Sequence, residues 1–369
     1  MKMLVVSNMY PSAKDPTYGT FVKNFFEDIC ERNGIKNTSL VTIKGRRKSK
    51  LAKLFTYLSF YTRLLIKLLF VRYDIIYVHT VTFPTPALRL ASLFRRLPLI
   101  FNVHGDDVIP SNRFKKFLRN LSKPLVLKAR LIVSPSEYFK NVVKEVFVGL
   151  APEQIFVSPS GGINPMFYSP KQHVNCGEET ITLGFVSRID PGKGWQTYLD
   201  AIKQLKDDGI SCRGIIAGGG SQFKEMLLEI GDKGLTDFIS YLGPQSQDDL
   251  AKLYRRFDLF IFPSTRKAES LGLVGIEAMA AGVPVIASNM AGATSYVSPG
   301  HNGFLFEPNS SSDLKEKIRD YLNLHKKEKE QMSENAYRSA LMFENKLVEE
   351  KLYSTILSYR SPYFSSAGF

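Results

Sequence analysis

The stretch "LFIFPSTRKAESLGLVGIEAMAAGVPVIAS" (residues 259–288) contains the pattern that decides the fold. It begins with the apolar run Leu259–Phe262, which is typical of a buried strand. A polar loop follows, and the small and apolar residues from Gly272 to Gly282 predict a short helix. "VPVIAS" then predicts the next strand. The succession of strand, loop, helix and strand indicates a βαβ unit with parallel strands.

The same alternation runs through both halves of the chain. With 369 residues, two domains are expected, each with helices on both faces of a parallel sheet. Helices are predicted between strands, for example at Gly19–Arg32 and Glu137–Phe147. The predicted strands are Met3–Ser7, Thr38–Ile43, Asp74–Val78, Leu99–Val103, Leu131–Val133 and Ile155–Val157 in the first half, and Ile181–Val186, Gly214–Ala217, Phe238–Tyr241, Leu259–Phe262 and Pro284–Ala287 in the second.

The domain boundary is predicted from composition. "SGGINPMFYSPKQHVNCGEE" (160–179) is rich in Gly, Pro and polar residues, which indicates a linker. We therefore predict domains at residues 1–165 and 178–345, with a final amphipathic helix in 346–369. Ligands of doubly wound sheets bind at the carboxyl ends of the strands, so we expect the site in the cleft between the two domains.

Cysteine usage and hydropathy bear on the compartment. Three cysteines without paired spacing (Cys30, Cys176 and Cys212) favour a reducing compartment over a disulfide framework or a zinc site. In the most membrane-like segment, Leu54–Val71, Arg63 and Lys67 would each cost about 2.5–3.5 kcal/mol at the bilayer centre. A spanning helix is not expected there, and we predict a cytoplasmic protein.

The positive charge is concentrated in the first half. Residues 1–170 carry 26 Lys and Arg against 10 Asp and Glu, a net charge of +16, whereas residues 171–369 carry 23 against 25, a net charge of −2. The segments 44–73 and 113–130 interleave cations with Leu, Phe and Tyr and contain no acid. This pattern favours an anionic membrane surface as partner, although a merely solvated basic face is the plainer alternative. No motif for nucleic acid accompanies the charge.

Two carboxylates stand out in the opening stretch. Glu269 lies in the predicted loop and Glu277 inside the predicted helix, eight positions later. Two acids flanking a reacting bond would indicate a glycoside hydrolase, whereas two acids binding hydroxyl groups would indicate a sugar site of another kind. The plainer alternative makes Glu269 a helix cap and Glu277 a solvated residue. Small apolar neighbours of Glu277 argue that its carboxylate needs a partner.

Other residues at predicted strand ends suit a phosphate ligand. In "GFVSRIDPGKGW", Arg188 and Lys193 lie where a strand passes into a helix, an arrangement that can clamp a diphosphate. The amides at the predicted helix start, Leu271, Gly272 and Leu273, would stabilise an anion. The glycines of "AGGGS", Gly218 and Gly219, allow a tight turn.

In the first half, two residues lie at predicted strand ends. Gly19 opens a helix after the long loop "PSAKDPTYGTF", and His104 lies in "NVHGDD". A structural role for His104 is as plausible as a catalytic one on this pattern alone.

The motifs together resemble a known family. "SRIDPGKG", "AGGGS", "YLGPQS", "FDLFIFPS" and "EAMAAGVPVIAS", with Glu269 and Glu277 spaced as in the family, are similar to retaining glycosyltransferases of family 4. The resemblance covers nearly the whole chain. It implies the GT-B fold, in which two Rossmann-like domains face each other and a C-terminal helix crosses back to the first domain. Leu271 replaces a common Phe, and only Gly19 is clear where many members have paired glycines.

The resemblance also implies roles for the matching residues. Arg188 and Lys193 would hold the donor diphosphate, and Glu277 would accept hydrogen bonds from the nucleotide ribose. Glu269 would contact the transferred sugar, and His104 would face its reacting side. The remaining predicted donor contacts are Gly19, Gly218, Gly219, Ser270, Leu271, Gly272 and Leu273.

The predicted function is transfer of a hexosyl unit, with retention, from a UDP- or GDP-linked donor to a saccharide acceptor, with no metal and no cofactor. The resemblance points to exopolysaccharide, capsule or O-antigen synthesis. A lipid-linked acceptor would place the enzyme peripherally on the inner face of the cytoplasmic membrane. A soluble or protein acceptor, a glycoside hydrolase and a non-catalytic basic binding module are the alternatives.

Overall fold

The structure is a computed structural model that describes residues 1–16, 18–31, 37–47, 49–170 and 180–359. The strands are β1 (Lys2–Tyr10), β2 (Asn37–Lys44), β3 (Ile75–His79), β4 (Leu99–Asn102), β5 (Leu131–Ser134), β6 (Ile155–Val157), β7 (Ile181–Val186), β8 (Cys212–Ala217), β9 (Ile239–Tyr241), β10 (Leu259–Phe262), β11 (Val285–Ser288) and β12 (Gly303–Phe306). The helices are α1 (Thr20–Glu31), α2 (Lys50–Phe70), α3 (Thr85–Ser92), α4 (Arg113–Leu127), α5 (Glu137–Val146), α6 (Trp195–Asp207), α7 (Phe223–Asp232), α8 (Gln247–Tyr254), α9 (Leu273–Ala280), α10 (Ser311–Leu322), α11 (Lys326–Leu341) and α12 (Asn345–Ser358). Short 3₁₀ helices occur at Pro152–Gln154, Pro165–Phe167 and Ala291–Ser295.

The chain divides into two compact units. Unit 1 comprises Met1–Gly161 and the chain from Val348 onward, and unit 2 comprises Gly162–Leu347. Each unit contains one six-stranded sheet in which every pairing is parallel. The predicted α/β class is therefore confirmed. One strand, β12, was not predicted, because "GFLF" is short and follows a turn.

In unit 1 the strand order is β2-β1-β3-β4-β5-β6. Side chains of β1 alternate between two cores: Leu4 and Val6 pack in one, and Met3 and Val5 in the other. Such burial on both faces is what helices covering both sides of a parallel sheet produce. The order reverses between β1 and β3, so the loops that leave these strands begin at the switch point of this sheet.

In unit 2 the strand order is β12-β11-β10-β7-β8-β9. This is the order of the Rossmann fold, with its switch point between β7 and β10. The two strands are neighbours in the sheet although about seventy residues lie between them in sequence. Loops leaving their carboxyl ends therefore emerge side by side.

The final helix belongs to unit 1. Leu352 and Ile356 of α12 are buried in the same cluster as Met3, Val5 and Tyr77. Residues 360–369, the remainder of the predicted C-terminal segment, lie outside the described residues. The C-terminal helix thus returns to the first sheet, as the resemblance implied.

The predicted linker is only in part a connecting segment. Residues 171–179, with Cys176, lie outside the described residues, but Ile163 and Phe167 are buried in the core of unit 2. The N–H of Ile163 donates to Phe343 O (2.7 Å), so the backbone of this stretch is paired as well. Glycine and proline content predicted a linker, but these two apolar side chains anchor the first half of the segment in unit 2.

Helix α2 is amphipathic. Phe60, Leu64 and Leu68 are buried and pack in the core of unit 1. Within the described ranges, no helix combines the length and the apolar character that crossing a membrane requires. Cys30 and Cys212 are free thiols.

Candidate functional site

The switch point of unit 2 brings two predicted site residues into contact. Lys193 follows β7 and Glu269 follows β10, and Lys193 Nζ lies 2.5 Å from Glu269 Oε2. Their side chains are 11% and 18% exposed. The hydroxyl of Ser264 donates to the same carboxylate oxygen at 3.2 Å. A cation and a carboxylate are thus held together, accessible to solvent, where a doubly wound sheet binds ligands.

Arg188 lies on the same loop as Lys193 but makes a different ion pair. Arg188 Nη1 is 2.9 Å from Asp190 Oδ2, and the Arg188 side chain is 65% exposed. Asp190 Oδ1 accepts hydrogen bonds from the backbone N–H (2.8 Å) and the hydroxyl (2.9 Å) of Ser221. The bond from the Ser221 N–H is the main reason why the pKa of Asp190 is lowered. Asp190 therefore ties the loop after β7 to the loop after β8.

The glycines at these strand ends allow close contact between loops. Gly218 has φ +132°, and a Cβ there would lie 1.8 Å from Ser187 O. Gly194 has φ +77°, and a Cβ there would lie 1.9 Å from Pro263 O. Any other residue would push these loops apart. Gly219 is less restricted: its Cβ would meet the ring of Pro244 at 3.1 Å.

Helix α9 begins as predicted. Gly272 is its N-cap in the left-handed region, with φ +83°. The Gly272 carbonyl accepts a hydrogen bond from the hydroxyl of Tyr296 (3.1 Å). Leu271 is buried, Ser270 is half-buried, and Leu273 is the first helical residue. Free amides at such a helix start are suited to an anion, and the contact of these residues with a donor stays a prediction.

Glu277 is buried, not solvated. Only 9% of the residue is exposed, and Tyr254 on α8 donates to Oε2 at 2.8 Å. Burial raises the pKa of Glu277 to about 7, against the opposing effect of the Tyr254 hydrogen bond. The hydrogen-bond partner that a carboxylate in apolar surroundings needs is thus Tyr254 on α8. Sequence analysis did not identify this residue. Glu269 and Glu277 have different partners, which does not favour a shared hydrolytic role.

In unit 1, Gly19 is placed by backbone packing. It has φ +76°, and a Cβ there would lie within 2.9 Å of the Met9 and Tyr10 backbone. The loop after β1 therefore returns closely to the end of that strand before α1 begins. Only glycine fits this approach, which accounts for its position at the start of the helix.

His104, two residues beyond β4, contacts a histidine that sequence analysis did not single out. His79 is the last residue of β3, and its Nδ1 lies 3.2 Å from His104 Nε2. His79 is 1% exposed and His104 is half-buried. The pairing of β3 with β4, in which His79 is opposite Asn102, brings the rings together. Burial lowers the pKa of both imidazoles.

Asp107, also missed, holds the loop that carries His104. Its Oδ1 accepts from the N–H groups of His104 and Gly105, each at 3.0 Å, and its Oδ2 accepts from the N–H of Val81 at 3.1 Å. The "HGDD" motif was visible, but which acid turns inward depends on the fold. Asp107 therefore joins the segments that follow β3 and β4.

Among the residues that the structure describes, no cluster of three or more His, Cys, Asp or Glu side chains has an arrangement that could hold a metal ion. Metal independence stays a prediction.

Two family models match the chain. The model described as Glycosyltransferase Family 4 matches residues 25–161, and the model described as Glycosyl transferases group 1 matches residues 170–339. Together they cover most of both units.

Curated relatives match over parts of their length. An uncharacterised glycosyltransferase of Methanocaldococcus jannaschii is 31% identical over 228 residues, which are 62% of this chain and 59% of that protein. A D-inositol 3-phosphate glycosyltransferase of Nocardia farcinica is 35% identical over 138 residues, 36% of this chain and 30% of that protein. The chain therefore spans less than two thirds of the length of either relative.

Solved structures share the fold at low identity. Anabaena HepE in complex with UDP and glucose has a TM-score of 0.71 and 22% identity, covering 97% of this chain and 100% of that one. Sucrose-phosphate synthase from Thermosynechococcus elongatus has a TM-score of 0.76 and 17% identity, covering 97% and 100%. The matching models over both halves show that the chain belongs to family 4 of the glycosyltransferases. The solved structures show that it shares the GT-B fold.

Proposed function

We propose that this chain is a retaining glycosyltransferase that moves a hexosyl unit from a nucleotide-sugar donor to a saccharide acceptor. The observation that carries the proposal is the Lys193–Glu269 pair at the switch point between β7 and β10. The Lys193 ammonium group suits a phosphate, and the Glu269 carboxylate suits a sugar hydroxyl. The two groups already lie within hydrogen-bonding distance of each other. Structural neighbours with bound UDP and UDP-glucose support a nucleotide-linked donor.

The chemistry of the site follows from its charges. As the bond between sugar and diphosphate breaks, negative charge grows on the leaving phosphate oxygens. Lys193, Arg188 and the amides at the start of α9 would stabilise that charge, and one such fixed donor contributes about 3 kcal/mol to the transition state. Glu269 would bind a hydroxyl of the transferred sugar, and Glu277 the nucleotide ribose.

The donor and the stereochemistry can be tested together. A panel of UDP- and GDP-sugars is first screened by thermal shift, because a ligand at 100 times its Kd stabilises the folded state by about 2.7 kcal/mol. The donor found in this way is then incubated with oligosaccharide acceptors, and the anomeric configuration of the product is determined by NMR. We expect the product to have the same anomeric configuration as the donor. An inverted product, or hydrolysis of acceptor glycans without a nucleotide, would contradict the proposal.

We further propose that the acceptor is lipid-linked and that unit 1 binds an anionic membrane surface. Four apolar residues on α2, which we call the apolar ridge, are between 59% and 68% exposed: Leu51, Leu54, Phe55 and Leu58. With this exposure they are not packed on the sheet of unit 1. Exposed apolar groups on this scale are typical of an interaction surface.

The charge around the apolar ridge suits anionic lipid. Arg47, Lys50 and Lys53 are exposed beside it, and residues 44–73 contain no acid. Elsewhere in unit 1, Phe94, two residues after α3, and Phe114 and Phe117 on α4 are each more than 60% exposed. Lys and Arg near an anionic surface contribute about 1 kcal/mol each, and exposed aromatic and aliphatic groups add shallow burial. These features support peripheral binding of unit 1 to an anionic membrane surface. The enzyme would then act at the inner face of the membrane in exopolysaccharide, capsule or O-antigen synthesis, to which the family resemblance points.

A further inference from the structure

The His79 side chain is enclosed behind His104. The two imidazole rings are nearly parallel, with 14° between their planes and 5.5 Å between their centroids. Three aromatic rings pack around His79, those of Phe21, Phe25 and Tyr77, with centroids 5.1–5.6 Å away and steep interplanar angles. Such packing leaves the His79 ring little room to turn. Its Nδ1 is therefore held towards Nε2 of His104.

The hydrogen between the two nitrogens has two possible origins. A neutral imidazole carries one N–H, so either His79 donates from Nδ1 or His104 donates from Nε2. In the second case the hydrogen of His79 would be on Nε2, which is buried and makes no hydrogen bond with the described residues. Buried N–H groups without an acceptor are rarer than acceptors without a donor. The first arrangement is therefore favoured.

We propose that His79 is a positioning residue that donates from Nδ1 to Nε2 of His104 and fixes the tautomer and orientation of the His104 ring. His104 then carries its hydrogen on Nδ1, and its hydrogen bonds to any other group run through that N–H. Its contact with the transferred sugar, which rests on the proposed function, is then that of a hydrogen-bond donor rather than a base.

The backbone beside the pair is held in an unusual conformation. Thr80, directly after His79, has φ +72°, which a β-branched residue seldom adopts. Its N–H donates to Asn102 O (2.9 Å), and its hydroxyl donates to Asn8 Oδ1 (3.3 Å). On the other side, Asp107 binds the N–H of His104. Backbone strain of this kind is typical of a functional site. The hydrogen bonds of Thr80 and Asp107 hold the backbone of His79 and His104 in place.

Two substitutions of nearly equal shape test the hydrogen bond. His79→Asn keeps an N–H donor close to the position of Nδ1, whereas His79→Leu removes it and suits the aromatic surroundings. The full chain is labelled with ¹⁵N-histidine, and long-range ¹H–¹⁵N spectra report which ring nitrogen is protonated. The sequence has only five histidines, so a His104→Gln variant assigns the signals. We expect a protonated Nδ1 on His104 in the wild type and in His79→Asn, and a mixture of tautomers in His79→Leu.

The rate tests the catalytic consequence. His79→Leu should lower kcat about 10- to 100-fold with little change in KM for the donor, and His79→Asn should restore most of the loss. An unchanged His104 spectrum in His79→Leu would overturn the hydrogen bond, and an altered spectrum with an unchanged rate would overturn the positioning role. Because the spectra need no substrate, they decide the contact even if the chain proves not to transfer glycosyl groups.

Discussion

Lys193 and Glu269 lie 76 positions apart in sequence and form an ion pair, with Nζ 2.5 Å from Oε2, at the carboxyl ends of β7 and β10. The hydroxyl of Ser264 donates a hydrogen bond to the same oxygen of Glu269, so Lys193 and Ser264 both hold this carboxylate. An incoming diphosphate would compete with Glu269 for Lys193. Binding of a donor would then release Glu269 for a sugar hydroxyl, so donor binding and sugar recognition would be coupled in the proposed function.

Replacing Lys193 should therefore affect turnover far more than stability. We expect Lys193→Ala and Arg188→Ala each to lower kcat by one to several orders of magnitude, because each removes a cation that, in the proposed function, would stabilise the leaving diphosphate. Lys203→Ala is the control, since Lys203 pairs with Asp207 on the surface of α6. Steady-state kinetics and thermal unfolding of the three variants measure the effect. Near-wild-type turnover in folded Lys193→Ala would refute the assignment of this cation.

Glu277 should make the stability of the protein depend on pH. Its folded pKa of about 7 lies above the ordinary value of 4.5, so between these values the folded state binds a proton that the unfolded state lacks. Its contribution is fully favourable below about pH 4.5 and is lost as the pH rises to about 7. The change amounts to about 3 kcal/mol.

Glu277→Gln should remove this dependence. The amide oxygen can still accept the Tyr254 hydrogen bond, but the side chain cannot ionise. Urea unfolding at pH 5, 6, 7 and 8 should show the variant gaining stability relative to the wild type as the pH rises. Parallel curves for the two proteins would mean that the carboxylate ionises at its ordinary pKa.

Transfer activity should not require a metal. Arg188 and Lys193 supply fixed positive charge near the predicted position of the diphosphate, which is the role that a divalent cation would otherwise take. We expect the rate in excess EDTA to equal the rate with added Mg²⁺ or Mn²⁺ within about twofold, well under the loss expected for a missing electrostatic donor. A strict requirement for either ion, restored by its addition after EDTA, would count against the proposed mechanism.

Vesicle flotation should detect binding through unit 1. Vesicles with anionic lipid should retain the protein at low salt, and added salt should weaken the binding, because surface electrostatic attraction fades within a Debye length. The double change of Lys50 and Lys53 to Ser should reduce binding strongly. The same change at Lys326 and Lys327, exposed on α11 of unit 2, is the matched control.

The apolar contribution needs its own comparison. Leu54→Ser with Phe55→Ser should weaken binding at every salt concentration, because it removes shallow burial rather than charge. Leu228→Ser on α7, where Leu228 is 71% exposed, is the control. Protein that stays unbound with anionic vesicles at low salt would instead favour an acceptor in solution.

Much of the architecture follows from local pattern. Apolar runs spaced by helical segments predicted both parallel sheets, and the predicted helix around residues 272–282 corresponds to α9, because periodicity and capping residues act over a few positions. The failures were also local. The Gly and Pro content of residues 160–179 gave no indication that Ile163 and Phe167 are buried in unit 2. The strand β12 has too few residues to be recognised from sequence.

The contacts within each site were decided by tertiary structure. Lys193 and Glu269 could each be chosen from sequence, but their ion pair exists because β7 and β10 are neighbours across the switch point. His79 contacts His104 because β3 pairs with β4. Glu277 is hydrogen-bonded because α8 brings Tyr254 to its carboxylate. Sequence pattern reports which side chains face inward along one element. Which inward-facing groups then touch depends on strand order and on helix packing, and these are set by burial summed over the whole unit.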